Sequence, residues 1–334
     1  MSGFERRPLG RTSVKITVLG LGCATLGGHR VPVTPDEAEA TVRAAWASGV
    51  RYVDCAPFYG YGQAERCVGD ALRETSRDEW VLSTKVGRLL HPRTQAPATE
   101  PYRHPLPFTT AFDYTYDGIM RAFEDSLQRL GLARIDILYA HDIGAAQHGR
   151  ERHPEIVRTF REGGYRALEE LRSSGVVGAI GIGVNEQEVL LDAMEWGDWD
   201  AFLLASRYTL LEQDPLDDLL PKCIRSGISI VVGAVHNTGV LAGRDSWNYK
   251  PAPPEIRDRV NAIRAVCDSH GVPLIAAALQ FPLAHPAVSA VLPGPRNVKE
   301  MEENSELLRY PIPSALWADL RNLNLLHPDA PTPS

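Results

Sequence analysis

The sequence predicts an α/β fold, a (β/α)8 TIM barrel with an N-terminal β-hairpin, long loops on its C-terminal face and extra C-terminal helices. Eight short apolar runs alternate along the chain with stretches that have helical spacing. Strands that alternate with helices pair in parallel through crossovers. An open doubly wound sheet would show the same alternation, but a count of eight strands favours closure into a barrel.

The elements follow in order after a hairpin predicted over residues 5–17. The eight strands are predicted to begin near Val18, Tyr52, Val81, Ile135, Ala179, Ala201, Ser229 and Val288. Helices are predicted over 35–48, 64–73, 117–130, 165–174, 186–195, 216–226 and 273–283. Because barrels of this class run from about 200 to over 400 residues as one unit, we expect a single domain, 1–334.

Capping signals support these helix boundaries. Thr34 and Pro35 fit an N-cap followed by a proline in the first turn. Four glycines stand just after predicted helices, where a left-handed residue is preferred, and each is followed closely by a strand: Gly49, Gly131, Gly175 and Gly227.

Three segments interrupt the alternation, 91–115, 142–164 and 237–254, and each follows a predicted strand. We expect them to form loops on the C-terminal rim that shape specificity.

Composition restricts the function. The net charge is -7 and no basic run of five or more residues occurs, so a nucleic-acid partner is not expected. No run of about 18 apolar residues predicts a membrane span, and the first residues lack the apolar stretch of a signal peptide. Five cysteines without metal-ligand spacing suggest a reducing compartment. The sequence therefore predicts a cytoplasmic protein.

Three stretches superficially resemble dinucleotide-binding, metal-binding or acyl-transfer motifs, but their residues do not have the spacing that these motifs require. The glycines of 20–27 and 178–185 are not spaced or placed as a dinucleotide fingerprint requires. His141 and Asp142 have no second histidine at ligand spacing, so no metal is expected. No serine lies in a Gly-x-Ser-x-Gly elbow, which gives acyl transfer no local support.

Four residues at or near strand ends can move or steer a proton. Asp54, Lys85 and His141 each end an apolar run, and Tyr59 follows Asp54 by five residues. The C-terminal ends of barrel strands form one rim, where catalytic groups from several strands meet. The sequence therefore predicts that these four side chains form one site.

Their chemistry would suit a metal-free proton relay. At about 4 Å and an effective dielectric of about 20, the ammonium of Lys85 would favour a phenolate by about 4 kcal/mol and bring the pKa of Tyr59 near 7. Asp54 would keep Lys85 charged, and His141 would orient the substrate oxygen. Any one of the four could instead be structural, and a lysine at a strand end could form a Schiff base, as in an aldolase.

The stretch Tyr52–Gly60 (YVDCAPFYG), followed by Glu65 and Gly69, resembles a signature of the aldo-keto reductases. Two further motifs of that family are matched by Lys85 with the preceding Ser-Thr and by His141. The resemblance covers essentially the whole chain. The resemblance implies an (α/β)8 barrel that uses a nicotinamide cofactor. It also implies that Tyr59 is the general acid/base, tuned by Lys85 and Asp54, and that His141 places the reacting oxygen.

The same resemblance implies cofactor-binding residues. Asn185 matches the residue that binds the carboxamide, and Ser206 is a further candidate because Ala205 and Gly233 replace the glutamine and tyrosine of many members. The segment 291–304 matches the part that holds the adenosine half of the cofactor, and its expected contacts are Gly294, Arg296, Glu303 and Asn304.

The predicted cofactor is NAD, with NADP possible. Glu300 stands where NADP-dependent members carry an arginine, and Gly294-Pro295 replaces their Lys-Ser. A carboxylate would repel a 2′-phosphate but can accept a hydrogen bond from a ribose hydroxyl. Arg296 could still bind a phosphate.

Within the family, segments 113–142 and 206–211 most resemble the branch that oxidises L-fucose, D-threo-aldoses or L-galactose, to which a pyridoxal 4-dehydrogenase is related. This implies oxidation of a sugar hemiacetal to the lactone with hydride transfer to NAD. The expected partner is a small sugar, aldehyde or alcohol. The alternatives are pyridoxal oxidation, an NADPH-dependent aldehyde reductase and a non-catalytic cofactor-binding subunit.

Overall fold

A computed structural model describes residues 3–94 and 101–333. The strands in these ranges are β1 (Arg6–Pro8), β2 (Lys15–Thr17), β3 (Leu21–Gly22), β4 (Tyr52–Asp54), β5 (Val81–Val86), β6 (Arg88–Pro92), β7 (Phe108–Phe112), β8 (Ile137–His141), β9 (Ala179–Val184), β10 (Ala201–Ala205), β11 (Ser229–Gly233) and β12 (Val288–Leu292).

The helices in the same ranges are α1 (Pro35–Ala47), α2 (Gln63–Leu72), α3 (Tyr116–Leu130), α4 (Ala145–His148), α5 (His153–Thr159), α6 (Tyr165–Ser173), α7 (Gln187–Ala193), α8 (Leu219–Ser226), α9 (Pro254–Ser269), α10 (Leu274–Gln280), α11 (Val298–Leu307) and α12 (Ser314–Asn322). A π-helical turn, Phe160–Gly164, joins α5 to α6.

No single helix in the described ranges is long and apolar enough to cross a membrane. One pair passes that test of length and composition together, Pro254–Ser269 with Leu274–Ala284, and it is bent by 101°.

Eight parallel strands form the barrel. Their order is β12-β11-β10-β9-β8-β5-β4-β3, and every neighbouring pair is parallel. The ends of this sheet meet, because Leu19 bridges Val291 in parallel and the Gly20 N–H donates to the Val291 carbonyl at 3.0 Å. The predicted barrel is therefore confirmed. In a barrel of parallel strands, the C-terminal ends of all strands lie on one rim.

The N-terminal hairpin of β1 and β2 closes the other end. Its antiparallel register pairs Arg7 with Ile16. Ile16 and Leu9 are fully buried and pack with inward-facing residues of the barrel such as Tyr139. A second, larger apolar cluster lies between the strands and the helices. This arrangement leaves the C-terminal rim as the open end of the barrel interior.

Most predicted boundaries agree with the structure within a few residues. Thr34 caps α1 and forms a capping box with Glu37, and the four predicted helix-ending glycines all have positive φ. The first strand is the exception, since β3 begins at Leu21 rather than near Val18. Helix α9 was not predicted, although its buried residues Val260, Ile263, Val266 and Cys267 have helical spacing.

The three interrupting segments are more ordered than predicted. The first contains most of an antiparallel hairpin, β6 with β7, and its residues 95–100 lie outside the described ranges. The second contains α4, α5 and the π-helical turn, and the third contains a 3-10 helix, Asn237–Ala242. The loop prediction was therefore wrong in part, because short polar elements on a rim lack the long apolar periodicity that identifies barrel helices.

A buried ion pair anchors the strand that carries Lys85. Glu65 in α2 is fully buried, and its carboxylate accepts hydrogen bonds from Thr84 Oγ1 at 2.7 Å and from Arg129 Nε at 2.5 Å. The pair thus connects α2, α3 and β5. Removing one partner of a buried pair leaves the other charge without compensation.

Replacing Glu65 with alanine should lower the free energy of unfolding by about 3–5 kcal/mol, because Arg129 would lose its buried counter-ion. Urea unfolding followed by circular dichroism measures this change. The matched control is Asp125→Ala, which removes an exposed carboxylate paired with Arg121 at 3.7 Å and should change stability by less than about 0.5 kcal/mol. Equal effects of the two substitutions would contradict the anchoring role of Glu65.

Candidate active site

The loop after β4 presents Tyr59. Its N–H donates to the Ala56 carbonyl at 3.1 Å, which turns the chain back toward the rim. The neighbouring Gly60 has φ 62° and packs so closely on Gly27 that a Cβ at Gly27 would lie 2.4 Å from the Gly60 nitrogen. This contact between two glycine backbones fixes Tyr59, which is half-buried on the rim.

Asp54 and Lys85 form a buried ion pair beside Tyr59. The Lys85 Nζ donates to Asp54 Oδ2 at 2.6 Å and to the Cys55 carbonyl at 2.9 Å. The other carboxylate oxygen, Oδ1, accepts a hydrogen bond from Ser83 Oγ at 2.7 Å. Both charged side chains are less than 5% exposed, at 2% and 4%. The Lys85 ammonium also lies 4.7 Å from the centroid of the Tyr59 ring.

Two buried tyrosines extend this cluster into the barrel. The Tyr52 hydroxyl lies 3.1 Å from Ser83 Oγ and 3.4 Å from the Tyr139 hydroxyl. Both tyrosines are fully buried. Burial is the largest cause of a raised pKa at each of them, so both phenols hold their protons. The hydrogen bonds therefore continue downward from Asp54 into the core.

His141 stands on the far side of Tyr59. Their ring centroids are 6.1 Å apart and the rings are nearly perpendicular, at 89°. His141 Nε2 is 3.4 Å from Asp142 Oδ2, whereas Nδ1 is buried and has no hydrogen-bond partner among the described residues. Burial, followed by the charges of Arg88 and Lys85, lowers the pKa of His141 well below its usual value. The imidazole is therefore neutral at physiological pH.

The pKa of Tyr59 differs from the sequence-based expectation. Burial, followed by the nearby carboxylate of Asp54, raises it well above the usual value rather than bringing it near 7. The sequence-based expectation left out the desolvation of the buried phenol, which is the largest cause. Burial also raises the pKa of Asp54, which the Lys85 ammonium opposes. In the absence of ligand, Tyr59 is consequently a protonated phenol.

The four predicted catalytic residues and most of the predicted cofactor residues line a single cavity. Its volume is about 1410 Å³, above the range of about 300–1,000 Å³ that is usual for drug-sized ligands. The predicted residues on its wall are Asp54, Tyr59, Lys85, His141, Asn185, Gly294, Arg296, Glu303 and Asn304. The structure therefore brings together two groups of residues that are distant in the sequence.

The donor set fits a dinucleotide. Asn304 lines the cavity, is 7% exposed and has a side-chain amide that makes no hydrogen bond within the described residues. Arg296 and Arg244, which was not predicted, add positive charge to the same wall. The amide of Asn304 suits the edge of an adenine ring, and the guanidinium groups add positive charge to the same cavity. These side chains would hold the adenosine half of a cofactor.

Ser206 is the exception among the predicted cofactor residues. It is fully buried and is not on the cavity wall, which Ala205 and Arg207 line on either side of it. A positive φ of 62° turns the chain at this residue, and its hydroxyl has no hydrogen-bond partner among the described residues. The spacing of residues after β10 could not reveal this turn.

Glu300 is neutralised by two arginines. Its carboxylate accepts hydrogen bonds from the Arg296 N–H and Nε, both at 2.8 Å, and from Arg244 at 3.2 Å. Burial would raise the pKa of Glu300, but the hydrogen bonds from Arg296 outweigh it and hold the pKa below its usual value. Both arginines are therefore engaged with a carboxylate.

Sequence comparison identifies the family. The family model described as "Aldo/keto reductase family" matches residues 18–325. The chain belongs to the aldo/keto reductase family. It is accordingly an oxidoreductase, and the members of its family use nicotinamide cofactors.

Named relatives of this aldo/keto reductase act on small carbonyl compounds and sugars. The chain is 44% identical to a pyridoxal 4-dehydrogenase of Microbacterium luteolum, over 98% of its own length and 99% of the relative. It is 39% identical to a D-threo-aldose 1-dehydrogenase of a Pseudomonas species, over 95% and 96%. The fold is similar to the holo form of an aldo-keto reductase from Bacillus halodurans, with a TM-score of 0.74, 24% identity and 96% coverage of both chains.

Sequence reasoning missed several residues beside Tyr59. His29, Phe58, Tyr102 and Tyr249 line the same cavity, and the Phe58 and Tyr102 ring centroids are 5.1 Å apart. Asp142 was considered only as a metal ligand, and among the described residues no cluster of three or more His, Cys, Asp or Glu side chains could hold a metal ion. Aromatic residues in long loops carry no periodic signal that would place them at a site.

Replacing Lys85 with methionine should reduce turnover by at least about 100-fold and destabilise the fold by about 3–5 kcal/mol, because Asp54 would lose its buried counter-ion. Steady-state kinetics and urea unfolding measure the two effects. Lys222→Met is the matched control, since Lys222 in α8 pairs with the exposed Asp218 at the surface. Undiminished turnover in the Lys85 variant would remove the ion pair from the proposed chemistry.

Proposed function

We propose that this aldo/keto reductase oxidises the hydroxyl of a cyclic hemiacetal to a lactone, with NAD as hydride acceptor. The observation that carries this proposal is the meeting of Tyr59, Lys85 and His141 at one end of the cavity. Tyr59 would remove the hydroxyl proton, and neutral His141 would hold the oxygen. The nicotinamide ring, when bound, accepts the hydride.

The two named dehydrogenases support this chemistry. Aldoses exist mainly as cyclic hemiacetals, and pyridoxal can close the same kind of ring between its aldehyde and its hydroxymethyl group. Oxidation of either ring would require removal of a proton from one hydroxyl and of a hydride from the same carbon. The aldose class remains our leading candidate, and the 44% identity to a pyridoxal dehydrogenase makes pyridoxal the second.

Aromatic rings around Tyr59 favour a ring-shaped substrate of either class. Phe58 lies edge-on to Tyr102 at 5.1 Å and to His141 at 6.3 Å, and His29 contacts Tyr102 at 5.6 Å. Such faces pack well against a pyridine ring or the apolar face of a pyranose. Assays of L-fucose, D-arabinose, L-galactose and pyridoxal with each cofactor test the proposal, and no oxidation of any would contradict it.

The rate of oxidation should rise with pH. Because burial raises the pKa of Tyr59, the phenolate that acts as base is scarce at neutral pH and increases up to tenfold with each pH unit below that pKa. We expect kcat/KM for oxidation to increase between pH 6 and 9. Tyr59→Phe should lose this dependence and at least about 100-fold in turnover, with cofactor affinity kept.

The control for this experiment is Tyr310→Phe. Its hydroxyl donates to the Gly271 carbonyl at 2.9 Å on the surface, so the variant should keep the activity and pH profile of the wild type. Near-normal activity of Tyr59→Phe would refute its role as the base. An unchanged slope with reduced activity would assign the pH dependence to another group.

The preference for NAD should depend on Glu300. Because its carboxylate engages both Arg296 and Arg244, neither cation is free for a 2′-phosphate. Glu300→Gln should release them and improve kcat/KM for NADP by at least about 10-fold, or about 1.4 kcal/mol, with a change of less than about threefold for NAD. Glu302→Gln, on the exposed side of α11, is the control. A wild-type preference for NADP would contradict the choice of cofactor.

A further inference from the structure

Asp142 is a second carboxylate at the reacting end of the cavity. It follows His141 directly and lines the cavity, and its Oδ2 is 3.4 Å from His141 Nε2. Its other oxygen, Oδ1, has no hydrogen-bond partner among the described residues. The proposed proton transfer needs only one carboxylate, Asp54, which leaves Asp142 without a role in it.

The backbone of Asp142 is held in a conformation that few residues adopt. Its φ is 54°, in the left-handed region where Asp and Asn are enriched over other non-glycine residues. The N–H donates to the Gly183 carbonyl at 3.0 Å. Its carbonyl accepts hydrogen bonds from the Tyr114 hydroxyl at 3.1 Å and lies 3.0 Å from His148 Nε2. The main chain is therefore fixed on both sides.

The side chain is held as firmly. Arg88 forms a short ion pair with Asp142 Oδ2, and the Arg88 side chain is only 4% exposed. Its guanidinium lies 4.0 Å from the Phe58 ring centroid and 4.4 Å from that of Phe112. A buried cation between two rings thus orients one oxygen of the carboxylate and leaves Oδ1 available to accept a hydrogen bond.

We propose that Asp142 determines substrate specificity by accepting a hydrogen bond from a second substrate hydroxyl, next to the one that is oxidised. This inference rests on the proposed function. If His141 contacts the reacting oxygen, the Asp142 carboxylate, whose Oδ2 is 3.4 Å from His141 Nε2, can reach with Oδ1 a group that is one or two carbon atoms away. A carboxylate is a strong acceptor for such a hydroxyl.

An aldose carries this second hydroxyl as its 2-hydroxyl, on the carbon next to the anomeric centre. In pyridoxal the neighbouring hydroxyl, on ring carbon 3, is largely ionised at neutral pH and cannot donate a hydrogen bond to a carboxylate. Asp142 therefore favours the aldose class over pyridoxal. Simple aldehydes and alcohols without a neighbouring hydroxyl would leave Oδ1 without a partner, which is unfavourable.

The test compares substrates with and without the second hydroxyl. The parent aldose is paired with its 2-deoxy analogue. We expect the wild type to prefer the parent by about 10- to 100-fold in kcat/KM, the range for a hydrogen bond to a charged group. In Asp142→Asn this preference should fall below about threefold, mainly through loss of activity on the parent.

Asn suits this test because it tolerates positive φ, so the backbone turn is kept. Asp217→Asn is the control, since Asp217 is 73% exposed and pairs with His327 on the surface, and it should keep the wild-type preference. Should Asp142→Asn be unstable, the wild-type comparison alone still decides, because a preference below about threefold overturns the inference.

An alternative role for Asp142 is purely structural, as the counter-ion of Arg88. In that case the variant would slow the parent and the deoxy substrate equally and leave their ratio unchanged, which would overturn the inference. Oxidation of pyridoxal but of no aldose would also overturn the inference. Failure of the wild type to oxidise any of these substrates would be a different result, because it would contradict the proposed function itself.

Discussion

The buried pair of Lys85 and Asp54 is the interaction on which the site depends. Two opposite charges less than 5% exposed, 2.6 Å apart, are tolerable only when each has further hydrogen-bond partners. Ser83 and the Cys55 carbonyl supply them. The site therefore requires the parallel register of β4 and β5, which places Asp54 opposite Ser83. The two strands have this register because they are neighbours in the barrel.

The electrostatics of the site follow from this pair. Burial and the Asp54 carboxylate raise the pKa of Tyr59, so its phenol keeps its proton. Burial, followed by the charges of Arg88 and Lys85, lowers the pKa of His141, so its imidazole remains neutral. Two neutral hydrogen-bonding groups thus face the cavity with a compensated ion pair behind them. Such a site can donate a proton to an oxygen, and it can accept one only after Tyr59 has ionised.

Much of the barrel and of the site was predictable because it depends on local patterns. Strands such as β9 and helices such as α3 have clear periodicity and capping, and Asp54, Lys85 and His141 end apolar runs. The turn at Ser206, the ion pairs of Glu300 and the position of Asp142 were not predictable. They depend on contacts between loops that are far apart in the sequence, and on φ angles that residue type only weakly specifies.

The hydrogen-bonded hydroxyls below Asp54 limit the routes by which the site can exchange protons with solvent. Ser83, Tyr52 and Tyr139 lead inward from the ion pair and end in the barrel core, where both phenols keep their protons. Among the described residues, no hydrogen bond extends this route from the Tyr139 hydroxyl to the hairpin. If Tyr59 takes a proton from the substrate, as we propose, that proton would have to reach solvent through the open rim of the barrel, which is also the opening that admits the substrate.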